Sequence, residues 1–437
     1  MLFSGTVLMA LTAMMGVADT LIAGIMLGEE AVTGICLVLP AYSMASFFAV
    51  AFSYGVPILY AGETGAFRKA EADRCFGVGL TVSLAIGILL FLAILHGEKA
   101  YLGIFQISEQ VYASAAEYLS WMKYAVLLLP LNELLGGMVF VDGDEKITLA
   151  ANLVHGLLKV ILSAVLCRHM GAKGLAAASL IGFVVSIGIF GLHFLRSCNT
   201  LKLNLTYSTA ILWDIIKFGI VDASTHLFVS LFAFAVSCFI TVHFGAEMLI
   251  LVSVITLLKE GQILFEGIGE AITPIIGVYL GEGNWPGVWK VWKLARWSEG
   301  IESLLCTGLL LVFAPQVVGL LGISDPGTAE YAVWGLRVLS ITLIFPCRMF
   351  LDSSYFILVD RVSLGVFDSL MRELFPALPL AVLGGLMGGI PGMFIGLTLA
   401  NPLGYLFSVL HIWGRYGRAN YPLFLVRKGT AEDSCAV

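Results

Sequence analysis

The sequence predicts an all-α integral membrane protein: twelve transmembrane helices in two six-helix lobes that repeat each other in parallel orientation around a central cavity. Three observations predict it. Apolar stretches of spanning length recur from end to end, charge is scarce, and turn residues recur at one fixed offset. The 437-residue chain is 59% hydrophobic and 12% charged, with a mean hydropathy of +0.96, whereas a soluble domain carries roughly a quarter charged residues. A span needs about 20 apolar residues. Such stretches lie near 4–26, 31–61, 76–96, 118–141, 147–167, 174–195, 212–242, 248–280, 295–318, 331–358, 364–387 and 391–414.

The distribution of basic residues orients the helices. With a cytoplasmic N-terminus, the even-numbered connections and the tail hold Arg68, Lys69, Arg74, Lys146, Arg196, Lys202, Lys290, Lys293, Arg296, Arg361, Arg415, Arg418, Arg427 and Lys428, and the odd ones only Lys99, Arg168 and Lys173. This asymmetry obeys the positive-inside rule with both termini cytoplasmic, in an inner (plasma) membrane. The start, MLFSGTVLMALTAMMGVADTLIAG, lacks a basic n-region and an A-x-A cleavage site, so it reads as a first span rather than a signal peptide. Its abrupt beginning predicts that the natural gene starts upstream.

Composition also excludes. The net charge is -6 and no basic tract occurs, so no nucleic-acid partner is expected. The eight cysteines are scattered singly and predict neither a metal site nor a disulfide framework. No HExxH, GxSxG or P-loop is present, which argues against an enzyme or an ATP-driven pump. No cofactor is expected, and the chain is expected to work as a monomer in the lipid bilayer.

The repeat is written in punctuating residues. Gly28 to Pro57 and Gly245 to Pro274 are both 29 residues, at an offset of 217. Ile107-Ser108-Glu109 and Ile323-Ser324-Asp325 precede Pro130 and Pro346 equally, at an offset of 216, and Gly171-Ala-Lys-Gly174 matches Gly389-Ile-Pro-Gly392 at 218. Six helices per half make both halves enter from one side, the parallel-repeat plan of some secondary transporters. The expected division is an N-lobe at 1–196, a cytoplasmic linker at 197–211, a C-lobe at 212–414 and a cytoplasmic tail at 415–437.

Ionisable residues at bilayer depth cost a few kcal/mol each and normally face a cavity or a partner. Asp19 lies within the first span and is either an interfacial residue near a helix end or a cavity-facing carboxylate that binds H+ or Na+. On the eighth span Lys259, Gln262, Glu266 and Glu270 are spaced i, i+3, i+7, i+11, which places them on one face of an α-helix. That stripe is either a solvated face or a cavity lining in which two carboxylates take up and release protons. Arg348 and Asp352, and Asp368 and Arg372, are i,i+4 pairs able to neutralise each other locally. Lys123, Asn132, Glu133 and Asp222 point nowhere definite, and His155, His193, His226 and His243 share no metal-ligand spacing.

Several segments resemble multidrug and toxic compound extrusion (MATE) transporters. They are Val17-Ala-Asp-Thr-Leu-Ile-Ala-Gly24 followed by Leu27-Gly-Glu-Glu-Ala31, Asp142-Gly-Asp144, Gly171-Ala-Lys-Gly-Leu-Ala-Ala177, Gly267-Ile-Gly-Glu-Ala-Ile-Thr-Pro274 with Gly281-Glu-Gly-Asn284, and Ser369-Leu-Met-Arg372. Each is weak alone, but together they run in family order over almost the whole chain. The resemblance implies a two-lobed antiporter that exports small, often cationic or amphipathic organic compounds in exchange for H+ or Na+, with Asp19 in the place of the ion-binding first-helix aspartate. Two departures matter. The fifth-helix Asn-x-x-x-Asp pattern of many relatives is here Lys159 and Ser163, and a frequent twelfth-helix glutamate is Asn401. A lysine facing Asp19 would act as a built-in cation in place of Na+, which shifts the expectation to proton coupling through Asp19, Glu266 and Glu270.

Two other readings stand beside this one. A lipid-linked saccharide flippase of the same superfamily would need Lys123, Lys159, Lys259, Arg337, Arg348 and Arg372 to converge on one cavity. A non-transporting sensor or membrane enzyme on the same scaffold would account for the missing fifth-helix pattern.

Overall fold

The computed structural model describes residues 19–65, 67–105, 107–265, 267–269, 272, 276, 279, 284–323, 325–358 and 361–416. Residues 19–26 are helical. The main helices that follow are α1 (Glu29–Ser53), α2 (Gly55–Gly65), α3 (Lys69–Leu102), α4 (Glu109–Val141), α5 (Glu145–Met170), α6 (Ala172–His193), α7 (Thr209–Phe244), α8 (Ile250–Gly261), α9 (Trp285–Leu320), α10 (Pro326–Ser340), α11 (Ile344–Leu358), α12 (Val362–Glu373) and α13 (Ala377–Tyr416). No strand occurs among the described residues, as hydrocarbon demands of a chain that must satisfy its backbone within each segment.

Local chemistry sets the ends of these helices. The Ser108 hydroxyl accepts from the Val111 amide at the start of α4, and the Asp325 carboxylate accepts from the Thr328 amide ahead of Pro326 at the start of α10. Both are N-caps that satisfy an otherwise orphaned amide. The repeat reappears in the backbone. Gly28 and Gly245 take φ of 89° and 93°, and Gly171 and Gly389 take φ of 61° and 62°. These are left-handed conformations that glycine adopts without a Cβ penalty, so the matched glycines perform the same turns in both halves.

By length and composition, eight described helices can cross a membrane, or nine if the bent pair α10 and α11 is one span. The sequence predicts twelve, and the shortfall has physical reasons. The first predicted span, 4–26, lies mostly outside the described residues, and the eighth, 248–280, is interrupted by a 3-10 turn at Gln262–Phe265 and described only in part beyond it. The last two predicted spans run together as a single 54-residue run, Val362–Arg415. That run is not one straight helix. Non-helical dihedrals at Gly388 and Gly389 break it, and the legs on either side pack antiparallel, Gly384 on the Gly392 backbone and Gly396 on the Leu380 carbonyl. A methyl group at Gly384 or Gly396 would run into those carbonyls, so small residues are what let the legs approach, as between membrane helices generally.

The chain forms two compact units. One takes in the described residues up to Ser253 with the short stretch from Leu320, and the other takes in the rest. In the first, α7 packs along α1. Ser230 donates to the Pro40 carbonyl at 2.7 Å, and Gly219 lies against the Ala51 carbonyl. The packing division therefore falls after α7, whereas the repeat places its boundary at 197–211. The outward surface is apolar, with Leu304 72% and Leu305 62% exposed on α9.

Candidate ion-coupling site

Asp19 is buried at 3% exposure, in the helical segment 19–26. Tyr118 of α4 donates its hydroxyl to Asp19 Oδ2 at 2.7 Å, and Ser163 of α5 donates to Oδ1 at 3.2 Å. Lys159 Nζ lies 3.6 Å from Oδ2. Lys159 and Ser163 are i,i+4 and so share one face of α5, which is why a single helix supplies both a cation and a hydroxyl to one carboxylate. The resemblance pointed to both α5 residues. Tyr118 carries no signal of its own in the sequence, as one tyrosine within an apolar span.

The eighth-span stripe needs correction. The α-helix α8 ends at Gly261, and a 3-10 turn follows at Gln262–Phe265. The count of 100° per residue therefore does not carry across, and Lys259 does not begin a continuous face. Lys259 instead binds Glu373 at 2.8 Å, while Gln262 is buried. Glu266 and Glu270 lie outside the described residues.

Neither predicted local pair forms as expected. Asp352 is held by Arg296 of α9 at 2.7 Å rather than by Arg348 one turn away. Asp368 accepts from Ser353 at 2.9 Å and from Ser408 at 2.5 Å. Arg372 turns to its neighbour Glu373, Nε to Oε1 at 2.8 Å, with its guanidinium 3.5 Å from the centroid of the Phe350 ring. Glu373 thus sits between Lys259 and Arg372, a triad of one carboxylate and two cations. Asp352 and Asp368 thus find their partners on facing helices, whereas Arg372 finds its own in the next residue. Asn401 donates to the Thr342 hydroxyl at 2.8 Å.

A third cluster forms where the chain leaves α6. The ring of His193, fully buried, places Nε2 2.8 Å from Asp142 Oδ2 and Nδ1 3.1 Å from Asp144 Oδ2. The ring thus bridges the two carboxylates, one at each nitrogen. Arg196 Nη1 lies 2.8 Å from both oxygens of Asp144. Arg196, with His193 next, holds the Asp144 carboxyl below the usual carboxylate range, and Asp144 in turn raises Arg196. The Thr200 amide donates to Asp142 at 2.8 Å, its hydroxyl also bonds Asp142, and Lys69 reaches that hydroxyl at 3.0 Å. The segment after α6 is thereby tied to the turn between α4 and α5. Asp144, His193 and Cys198 are close enough to share a metal ion, but with Arg196 on Asp144 the cluster is better described as an ion-pair network.

Residues 6–165 match the MatE family. A multidrug resistance MATE family transporter of the MOP superfamily, in an inward-facing conformation, superposes with a TM-score of 0.81 at 20% identity, covering 99% of this chain and 100% of that one. The chain has the MATE transporter fold. The outward-facing form of a MATE family multidrug resistance transporter superposes at TM-score 0.70 and 20% identity, over 94% of each chain. A MOP superfamily transporter from Pyrococcus furiosus, described as having a binding pocket of reversed polarity, superposes at 0.75 and 19% identity, over 95% of this chain and 93% of that one. No curated protein matches the chain. MATE proteins are multi-pass membrane transporters rather than enzymes, and they handle small-molecule substrates without a cofactor.

Proposed function

We propose that the chain is a secondary-active exporter of small organic, often cationic or amphipathic compounds, driven by H+ rather than Na+ through Asp19. The observation that carries this reading is the ammonium of Lys159, 3.6 Å from Asp19 Oδ2. Two like unit charges about 4 Å apart repel by about 4 kcal/mol at an effective dielectric near 20, so a Na+ at Asp19 would have to displace the lysine. A proton needs no such room. It neutralises Asp19, weakens the hold on Lys159 and changes the electrostatics of a buried site, and its release restores the pair. Two lobes, 1–196 and 212–414, joined by a cytoplasmic linker at 197–211 and rocking about a central cavity, would turn this switch into alternating access, with both termini cytoplasmic in the plasma membrane. Glu266 and Glu270 remain proton-site candidates on sequence grounds.

The flippase reading is less well supported, because four of the six cations it needs are already engaged. Lys159 faces Asp19, Lys259 and Arg372 face Glu373, and Arg337 donates to the Leu311 carbonyl. The test is efflux of a panel of cationic and anionic dyes from proteoliposomes. The reading expects cationic dyes to leave when an inward proton gradient is imposed and to stay when it is collapsed. Efflux indifferent to the proton gradient would remove it.

A further inference from the structure

Glu299 and Glu302 on α9 are carboxylates that neither the ion pairs nor the hydrogen bonds above account for. Glu299 is 0% exposed, and all four carboxylate oxygens of the pair are buried without a hydrogen-bond partner among the described residues. They stand one turn apart midway along a spanning helix. Its outer surface carries Ile301, Leu304 and Leu305 at 57%, 72% and 62% exposure, and its inner face packs on α11, where the Cys347 thiol donates to the Glu299 carbonyl at 3.6 Å.

The charged and titratable groups facing the pair are Arg296 and Cys306 on the same helix and Cys347, Arg348 and Asp352 on α11, with Tyr405 of α13 beyond them against Arg296, Arg348 and Asp352. Arg296 is engaged by Asp352 at 2.7 Å. An ionised carboxylate buried in an apolar setting without a donor is heavily penalised, and a second one a turn away adds repulsion. A neutral carboxylic acid avoids both penalties. The positive charge of Arg348 and Arg296 nearby disfavours a metal cation as the neutralising ligand.

We infer that Glu299 and Glu302 form a second proton-binding site, in the compact unit that does not contain Asp19. It is loaded in the conformation described here and unloads when water reaches the carboxylates. A carboxylate oxygen lone pair takes the proton to give O–H, and release returns the carboxylate, with no other bond changed. The inference deepens the proton-coupled reading above and rests on it.

Infrared spectroscopy of the purified protein in lipid nanodiscs tests it, because a protonated buried acid shows a carbonyl band that shifts in heavy water. The expected result is a band lost in Glu299→Gln/Glu302→Gln, reduced in each single variant and retained in Asp19→Asn. A pH indicator in weak buffer should record less proton release on dye binding by the double variant than by the native chain. A band and a proton release indifferent to these substitutions would overturn the site. Glutamine copies the neutral acid, so a double variant that fails to fold would also overturn it. The two levels separate cleanly. Loss of the band in the double variant, with no proton-driven efflux by the native chain, keeps the site and refutes the coupling. Proton-driven efflux with an unmoved band does the reverse.

Discussion

Lys159 Nζ stands 3.6 Å from Asp19 Oδ2, on the face of α5 that also presents Ser163 to Oδ1. Asp19 is buried and Lys159 half-buried, and removing one partner leaves an uncompensated charge, at up to about 3–5 kcal/mol for a fully buried pair. Lys159→Met should therefore destabilise the protein by up to that amount, and Asp19→Asn/Lys159→Met should recover most of it. Thermal unfolding of the two singles and the double, analysed as a cycle, checks this. Additive losses would mean that the two side chains do not interact.

The same ammonium predicts a change of ion. The native chain should show no rise in melting temperature when Na+ replaces a larger inert cation. Lys159→Asn/Ser163→Asp removes the built-in cation and supplies a second carboxylate, and it should gain a Na+-dependent rise, since a ligand bound only by the folded state stabilises it. A Na+ response already present in the native chain would count against Lys159 as the occupant.

How much of this was legible in the sequence depends on the kind of signal. Asp19 stood out because a lone carboxylate interrupts an apolar run. Its partner Lys159 became visible through the resemblance, since nothing in residue spacing links helices more than a hundred residues apart. The repeat was legible for a physical reason. The turns at Gly28, Gly171, Gly245 and Gly389 all require positive φ, so glycine marks them in the sequence. The i,i+4 rule failed for Asp352 because a facing helix offered Arg296, and the α8 stripe failed where the helix tightened into a 3-10 turn. Glu299 and Glu302 lie inside the predicted span 295–318 and could have been flagged by the argument applied to Asp19.

Asp144 offers a pH test away from the spans. Arg196 and His193 hold its carboxyl below the ordinary range, about 3.9 in an unstructured chain. A depressed carboxyl contributes stability that is fully present above the unfolded value and is lost as pH falls through the folded one. Asp144→Asn should therefore lower the melting temperature by the same amount from neutral pH down to about pH 4, and the difference should shrink in more acid solution. A difference that grows on acidification would contradict the pairing.

The antiparallel legs of α13 make a packing prediction. Gly384 lies on the Gly392 backbone with no room for a Cβ, so Gly384→Val should overpack the contact at about 1–3 kcal/mol. Gly414, with nothing near it, should accept alanine with little loss. Melting temperature and monodispersity on size-exclusion chromatography distinguish the two sites, and equal tolerance at both would argue against the hairpin.

The central claim, that Asp19 with Lys159 beside it couples export to protons rather than to Na+, is tested most directly by measuring dye efflux from proteoliposomes. An inward H+ gradient and an inward Na+ gradient are imposed in turn, on the native chain and on Asp19→Asn. The account predicts that the H+ gradient drives efflux by the native chain, that the Na+ gradient does not, and that Asp19→Asn abolishes the proton-driven flux. Na+-driven efflux that disappears in Asp19→Asn would contradict it.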